Sequence, residues 1–394
     1  MFKKFMNLFL ILVILALSGC ASIVDFSEGR PLKDKSLPTV QVFYDRQGDI
    51  YTFESLAEGA ELIDNSDNSL ICAHDNLLCG KSEFALENNK PLQDSYDDWR
   101  QSQTAEIKKT VQRIIAKLEN TKNKKIVMLI HGFRVDDART DYNQVKALIM
   151  NNRNDEASPL FIEVHWDGRK SPTLPLSALR VWPPAQWSAP IVGFRIRPLI
   201  NELSTELQAA GQTAELLVIT HSTGAVVAGS LFGNPEAALP CLNSIKDAKI
   251  CGPNYAEFKE AATSLNSADQ VPQWNKLSVV MLAPATTSTT FVVPNQSKLG
   301  FQGPSNANLF FSHSKDDNAL QKFLKVPQLL GYSGLGAVRK DLEDIEHGLG
   351  EFVPKRANVT VMEMSDDLGS AHDWGEYMLS REFYKALQLL WGDT

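Results

Sequence analysis

Leu216-Leu217-Val218-Ile219-Thr220-His221-Ser222-Thr223-Gly224 passes from an unbroken apolar run into a serine set among small residues, and Ala225-Val226-Val227-Ala228-Gly229 continues it. The apolar run has the length of a strand buried on both faces. The Ala/Val/Gly stretch after it suits a helix packed closely on its neighbours. A serine between the two stands on a sharp strand-to-helix turn, with a strained backbone and a projecting hydroxyl. Small residues two before and two after it let strand and helix approach. Here they are Thr220 and Gly224, and threonine is the bulkier of the two. Small-x-Ser-x-Gly alone arises by chance about once in two chains of this length. Context singles out Ser222: Ser27 also has glycine two residues on, but no strand precedes it. The bland alternative makes Ser222 a helix N-cap.

Outward from this segment the chain alternates. Ile107, Val111, Ile114, Ile115 and Leu118 predict a helix by their spacing, and residues 126–130 a buried strand. Tyr142, Val145, Leu148 and Ile149 predict the next helix, and residues 160–164 the next strand. Leu199, Ile200, Leu203 and Leu207 mark a helix before the 216–219 strand. Further strands are predicted at 277–282, 308–311 and 359–363. Short apolar strands alternating with amphipathic helices indicate an α/β fold, its mostly parallel sheet covered on both faces. Two stretches interrupt the pattern as insertions, near 168–190 (with Trp182, Pro183, Pro184 and Trp187) and 235–272. Either walls a pocket or is plain packing. Residues 40–53 carry two strand signals about Arg46-Gln47-Gly48-Asp49, a predicted hairpin.

The first residues stand apart. Lys3 and Lys4 precede an apolar run over 8–17, too short to span a bilayer but of signal-peptide length. It ends in Leu17-Ser18-Gly19-Cys20, which resembles the bacterial lipobox. That resemblance implies export, with Cys20 lipidated and anchoring the chain to a membrane. The alternative is an ordinary cleaved secretory peptide. The expected organisation is a signal peptide over 1–19, a tether over 20–39, an N-terminal extension over 40–100 and an α/β domain over 101–394. The other four cysteines form two close pairs, Cys72 with Cys79 and Cys241 with Cys251. In an oxidising compartment these are candidate disulfides, each stabilising by up to about 3 kcal/mol. Neither pair has the Cys-x-x-Cys spacing of a zinc site. The net charge of −8 and the lack of a basic cluster argue against a nucleic-acid partner.

In parallel sheets reactive groups gather at the carboxyl ends of strands. His131-Gly132-Phe133 follows the 126–130 strand, where His131 reads as a stabiliser of its turn rather than a base. Ser312-His313-Ser314-Lys315-Asp316-Asp317 follows the 308–311 strand, and a loop containing His372 follows the 359–363 strand. Asp316 and Asp317 are both candidate acids, with helix capping as the bland alternative. His313 and His347 compete with His372 as the base. Glu163, His165 and Asp167 alternate on one face of a strand, where a polar network is the simpler reading than a metal.

Tyr44-Asp45-Arg46, His131-Gly132-Phe133, Val164-His165-Trp166-Asp167-Gly168, Thr220-His221-Ser222-Thr223-Gly224 and His372 together resemble the esterase/lipase branch of the α/β-hydrolase superfamily, and within it poorly characterised bacterial hydrolases. The likeness covers residues 126–394 at motif level. It implies the chain order Ser, acid, His. Ser222 is then the nucleophile and His372 the general base. The Asp317-Asn318-Ala319-Leu320 pattern favours Asp317 as the acid, with Asp316 behind it. The implied oxyanion-hole donors are the backbone N–H groups of Phe133 and Thr223. No metal or organic cofactor is implied. The expected substrate is an acyl ester or lipid-like small molecule, met at the cell envelope (the outer membrane in a two-membrane bacterium). A binding protein that keeps only the fold, or an acyltransferase using the same three residues, are the alternatives.

Overall fold

A computed structural model describes residues 37–45, 47–52, 70–78, 89–119, 121, 124–132, 138–151, 158–166, 175–212, 214–232, 274–286, 288, 291–292, 307–317, 319–320, 334–350 and 357–391. In chain order the main elements are β1 (Thr39–Tyr44), α1 (Leu70–His74), α2 (Lys90–Glu119), β2 (Lys125–Ile130), α3 (Ala138–Asn151), β3 (Leu160–Trp166), α4 (Pro175–Ala209), β4 (Glu215–His221) and α5 (Gly224–Phe232). There follow β5 (Lys276–Leu282), β6 (Ala307–His313), α6 (Arg339–Gly350), β7 (Ala357–Glu363), α7 (Ser365–Leu368), α8 (Trp374–Met378) and α9 (Arg381–Trp391). The strands form one seven-stranded sheet in the order β1-β3-β2-β4-β5-β6-β7, and every neighbouring pair is parallel. This is an α/β fold.

The central strands are largely apolar because helices cover both faces. On β4, Leu216 and Val218 enter one core while Leu217 and Ile219 enter the other. The first core receives Val111 and Ile114 of α2, Leu199 and Leu203 of α4, Val227 of α5 and Ile345 of α6. The second receives Tyr142 and Val145 of α3, Trp374 and Tyr377 of α8 and Phe383 of α9. Each buried aliphatic side chain contributes about 1.5–3 kcal/mol relative to exposure.

Two local expectations give way to tertiary packing. The hairpin expected over 40–53 is not a separate unit. Its first limb is the edge strand β1, paired with β3, because Val40, Val42, Phe43 and Tyr44 are all buried. The return limb makes one antiparallel bridge, Tyr44 to Ile50. Asp45 shapes the turn between them by accepting the N–H groups of Gln47 and Asp49, each at 2.9 Å. The stretch expected to break the pattern near 168–190 is helical from Pro175 onward, as the first half of α4. An internal proline costs a helix about 3 kcal/mol. The buried run from Ser188 to Arg197 offsets it. Gly193 lets α4 cross α5 at backbone contact, since a Cβ there would meet the Val227 carbonyl oxygen at 2.1 Å. No helix among the described residues is long and apolar enough to cross a membrane.

Candidate active site

The three side chains singled out in the sequence meet at the carboxyl end of the sheet. Ser222 lies between β4 and α5 with φ of 53°, a left-handed conformation costly for a residue with a Cβ. Its neighbours hold it there. Its N–H donates to the Leu282 carbonyl at 2.9 Å, and its own carbonyl accepts from Ala225 and Ala285, both at 3.1 Å. The flanking glycines are steric requirements. A Cβ on Gly224 would stand 2.6 Å from the Ile130 carbonyl oxygen, and one on Gly132 would stand 2.9 Å from the Ser222 Cβ. Thr220, the departure from glycine, is fully buried.

His372 projects from the loop between α7 and α8. Its Nε2 is 3.2 Å from the Ser222 Oγ, and its Nδ1 lies 2.8 Å from Oδ2 and 3.0 Å from Oδ1 of Asp317. Asp317 is fully buried. Its Oδ1 accepts the backbone N–H groups of Ala319 and Leu320, each at 2.9 Å, and its Oδ2 accepts the Tyr377 hydroxyl at 2.7 Å. Burial by itself would raise the Asp317 pKa. The hydrogen bond and charge of His372, with the Leu320 N–H and the Tyr377 hydroxyl, outweigh it and hold the carboxyl below its usual value. A buried, ionised carboxylate therefore faces the imidazole, whose other nitrogen faces the serine. That geometry suits proton transfer from hydroxyl to imidazole, with the growing positive charge stabilised by the carboxylate.

The other candidates lie elsewhere. Asp316 is exposed and carries no part of this network. His313 is committed to Glu363, its Nδ1 2.6 Å from Oε2, and His347 is exposed on α6. Thr223 is buried beside Ser222, and its backbone N–H has no acceptor among the described residues. Phe133, the other expected donor, lies outside the described residues, as do Cys20, Cys79, Cys241 and Cys251 and hence both expected cysteine pairings. Asp167 also lies outside them, and no group of three His, Cys, Asp or Glu among the described residues is arranged to hold a metal. Glu163 instead sits in a polar network, 2.7 Å from both Lys146 Nζ and Gln41 Nε2. Burial opposes its ionisation, but His165 and Lys146 prevail and bring its pKa to about 2.

His131, expected to steady its turn, ties the end of β2 to β3. Its Nδ1–H donates to the Gly132 carbonyl, and its Nε2 accepts the Trp166 N–H at 3.2 Å. The Trp166 indole N–H returns a bond to the His131 carbonyl at 2.9 Å. Burial, and then the charge of His165, push the His131 pKa down to about 3, which suits this single neutral tautomer. Sequence reasoning missed three other supports of the site. Tyr377 anchors the Asp317 carboxylate, and its spacing from Asp317 carries no local signal. His221 and Trp374 stack on each other beneath the His372 loop.

No protein-family model matches the chain, and no curated protein does. Among solved structures it is similar to the product of the gene lin2722 from Listeria innocua, at 10% identity and a TM-score of 0.33, over 69% of this chain and 96% of that one. It is also similar to the apo form of Thermogutta terrifontis esterase 2, at 11% identity and a TM-score of 0.28, over 68% and 82%. An uncharacterised Pseudomonas aeruginosa protein is a third, at 10% identity and a TM-score of 0.25, over 74% and 49%.

Proposed function

We propose that the protein is a serine hydrolase of carboxylic esters. The observation that carries this reading is the relay from Ser222 Oγ through His372 to Asp317, in which one imidazole faces the serine at 3.2 Å and a buried carboxylate at 2.8 Å.

In this reading Ser222 Oγ attacks the ester carbonyl while His372 Nε2 takes its proton. The Thr223 and Phe133 N–H groups receive the charge on the carbonyl oxygen, each worth about 3 kcal/mol. The imidazolium, steadied by Asp317, protonates the leaving alcohol. Water activated by the same imidazole then releases the acid and restores the serine. The strained turn favours this role over a capping one, since a capping serine has no need of a left-handed backbone. The lipobox-like ending at Cys20 supports an envelope location through a lipid anchor, where lipid-like esters are at hand.

The test is labelling by a fluorophosphonate probe together with hydrolysis of a chain-length series of chromogenic esters. Wild-type protein is expected to label and turn over, and folded S222A to do neither. A folded wild-type protein that does not label rejects the mechanism. For the anchor, mass analysis of the mature N-terminus should find an acylated Cys20, lost in C20A.

A further inference from the structure

We infer that His221 is a positioning residue for the catalytic base: its imidazole holds the main chain of residue 372, and through it the ring that serves Ser222. This rests on the hydrolase reading, and it adds a residue that takes no proton in the reaction.

The argument starts from one contact. His221 Nε2 lies 2.9 Å from the His372 carbonyl oxygen. A carbonyl oxygen only accepts, so Nε2 must carry the hydrogen. His221 closes β4 and directly precedes the nucleophile, so the same strand end that sets Ser222 also grips the loop bearing its base. The other described bonds hold the ends of that loop or the His372 ring: Gly369 N–H to the Ser365 carbonyl at 3.2 Å, Ser314 Oγ to the Gly369 carbonyl at 3.4 Å, Ala371 N–H to the Leu368 carbonyl at 3.1 Å, Tyr377 N–H to the Asp373 carbonyl at 3.2 Å, and the His372 side chain to Asp317. The donor is itself packed in place by its neighbours. It is 7% exposed, stacked on Trp374 at 5.6 Å between centroids and 15° between planes, and set edge-on to Tyr377. Tyr377 in turn anchors Asp317. One packed cluster therefore sets all three members of the relay relative to one another.

Neutrality of His221 matters to the base rather than to the hydrogen bond, which either protonation state could donate. The two imidazole centroids are 5.1 Å apart, and His372 becomes cationic in the reaction, so a second cation there would oppose it. The groups facing His221 are His372, Asp317, His131 and Tyr377. Burial, then the charge of His372 and, least, that of His131 push the His221 pKa down to about 3, against the hydrogen bond to the His372 carbonyl and the charge of Asp317. His221 thus donates its hydrogen bond without competing for charge at any pH where the base works.

The experiment compares H221F, H221Q and H221N in the full chain. Phenylalanine keeps the stacking and removes the donor. Glutamine places Nε2 as many bonds from Cα as histidine does, whereas asparagine is one bond short. H221F is expected to lose about a hundredfold in kcat, the effect of a displacement near 1 Å, with KM little changed. H221Q should recover most of that loss and H221N should not. The acid limb of the pH profile should keep its midpoint in H221Q, because the residue replaced carried no charge. A readout independent of turnover is the low-field proton resonance of the His372–Asp317 hydrogen bond, kept in H221Q and broadened in H221N. Equal kcat and equal resonances in H221Q and H221N overturn the inference, even if H221F fails to fold. Should wild-type protein fail to label with fluorophosphonate, the hydrolase reading falls, while the resonance still tests the hold on residue 372.

Discussion

Replacing Asp317 by asparagine isolates the electrostatic part of the site, because the structure dictates how the amide must sit. Oδ1 accepts two backbone N–H groups, from Ala319 and Leu320. An amide NH2 turned toward them would leave two buried donors facing a third, so the amide oxygen stays at Oδ1 and the amide nitrogen takes the place of Oδ2. That position faces the Tyr377 hydroxyl and His372 Nδ1. The nearer partner of Nδ1 is then a donor, which favours accepting at Nδ1 and carrying the hydrogen on Nε2, toward Ser222, over the longer contact to Oδ1 at 3.0 Å; in that tautomer the ring cannot take the serine's proton. A wrong tautomer with intact geometry typically costs about 10⁴ in kcat, or about 5.4 kcal/mol of barrier. Initial rates on a chromogenic ester, scaled to protein whose circular dichroism matches wild type, measure it. D316N is the control, since Asp316 is exposed, and should stay near wild type. D317N within tenfold of wild type, or D316N falling as far, refutes the reasoning.

Y377F removes one hydrogen bond to a buried carboxylate and should cost about 1.5–3 kcal/mol in urea unfolding. Its effect on kcat should be far smaller than that of D317N; a loss as large would mean that the hydroxyl does more than anchor. G132A drives a Cβ to 2.9 Å from the Ser222 Cβ and 3.0 Å from the His221 carbonyl oxygen, so it should displace the nucleophile and lower kcat by about a hundredfold, read by the labelling rate. His131 and His221 each titrate near 3 in the fold against about 6.5 unfolded, so between those values the unfolded chain binds more protons and stability falls as pH falls. Each adds a slope approaching about 1.4 kcal/mol per pH unit. Unfolding midpoints should therefore decline below pH 6.5, less steeply in H221Q, and a flat profile from 6.5 to 5 would contradict this.

The parallel sheet was legible because a strand covered on both faces has to be apolar at every position, and such runs declare themselves over five or six residues. The strands predicted at 126–130, 160–164, 277–282 and 308–311 differ from the observed ones only at their ends. Ser222 was legible for a related reason, since the turn that strains it demands Gly224 nearby and a strand before it. The helix over 175–190 was not legible, because its prolines speak locally against a helix whose described packing begins only at Ser188. Nor was β1 as a sheet strand, since a turn follows it at once and its partner β3 lies some 120 residues on.

Residue types, their order and the strands they follow were thus written in the chain, because covalent neighbours and burial periodicity are local properties. Which of two adjacent aspartates turns inward was not. That depends on where β6 ends and on a tyrosine sixty residues later reaching the same carboxylate. The neutral imidazole at 221 belongs to the same class, for it takes its tautomer from a carbonyl 151 residues away. Distances between groups far apart in sequence, and the desolvation that sets their charge, exist only once the sheet is closed over by its helices.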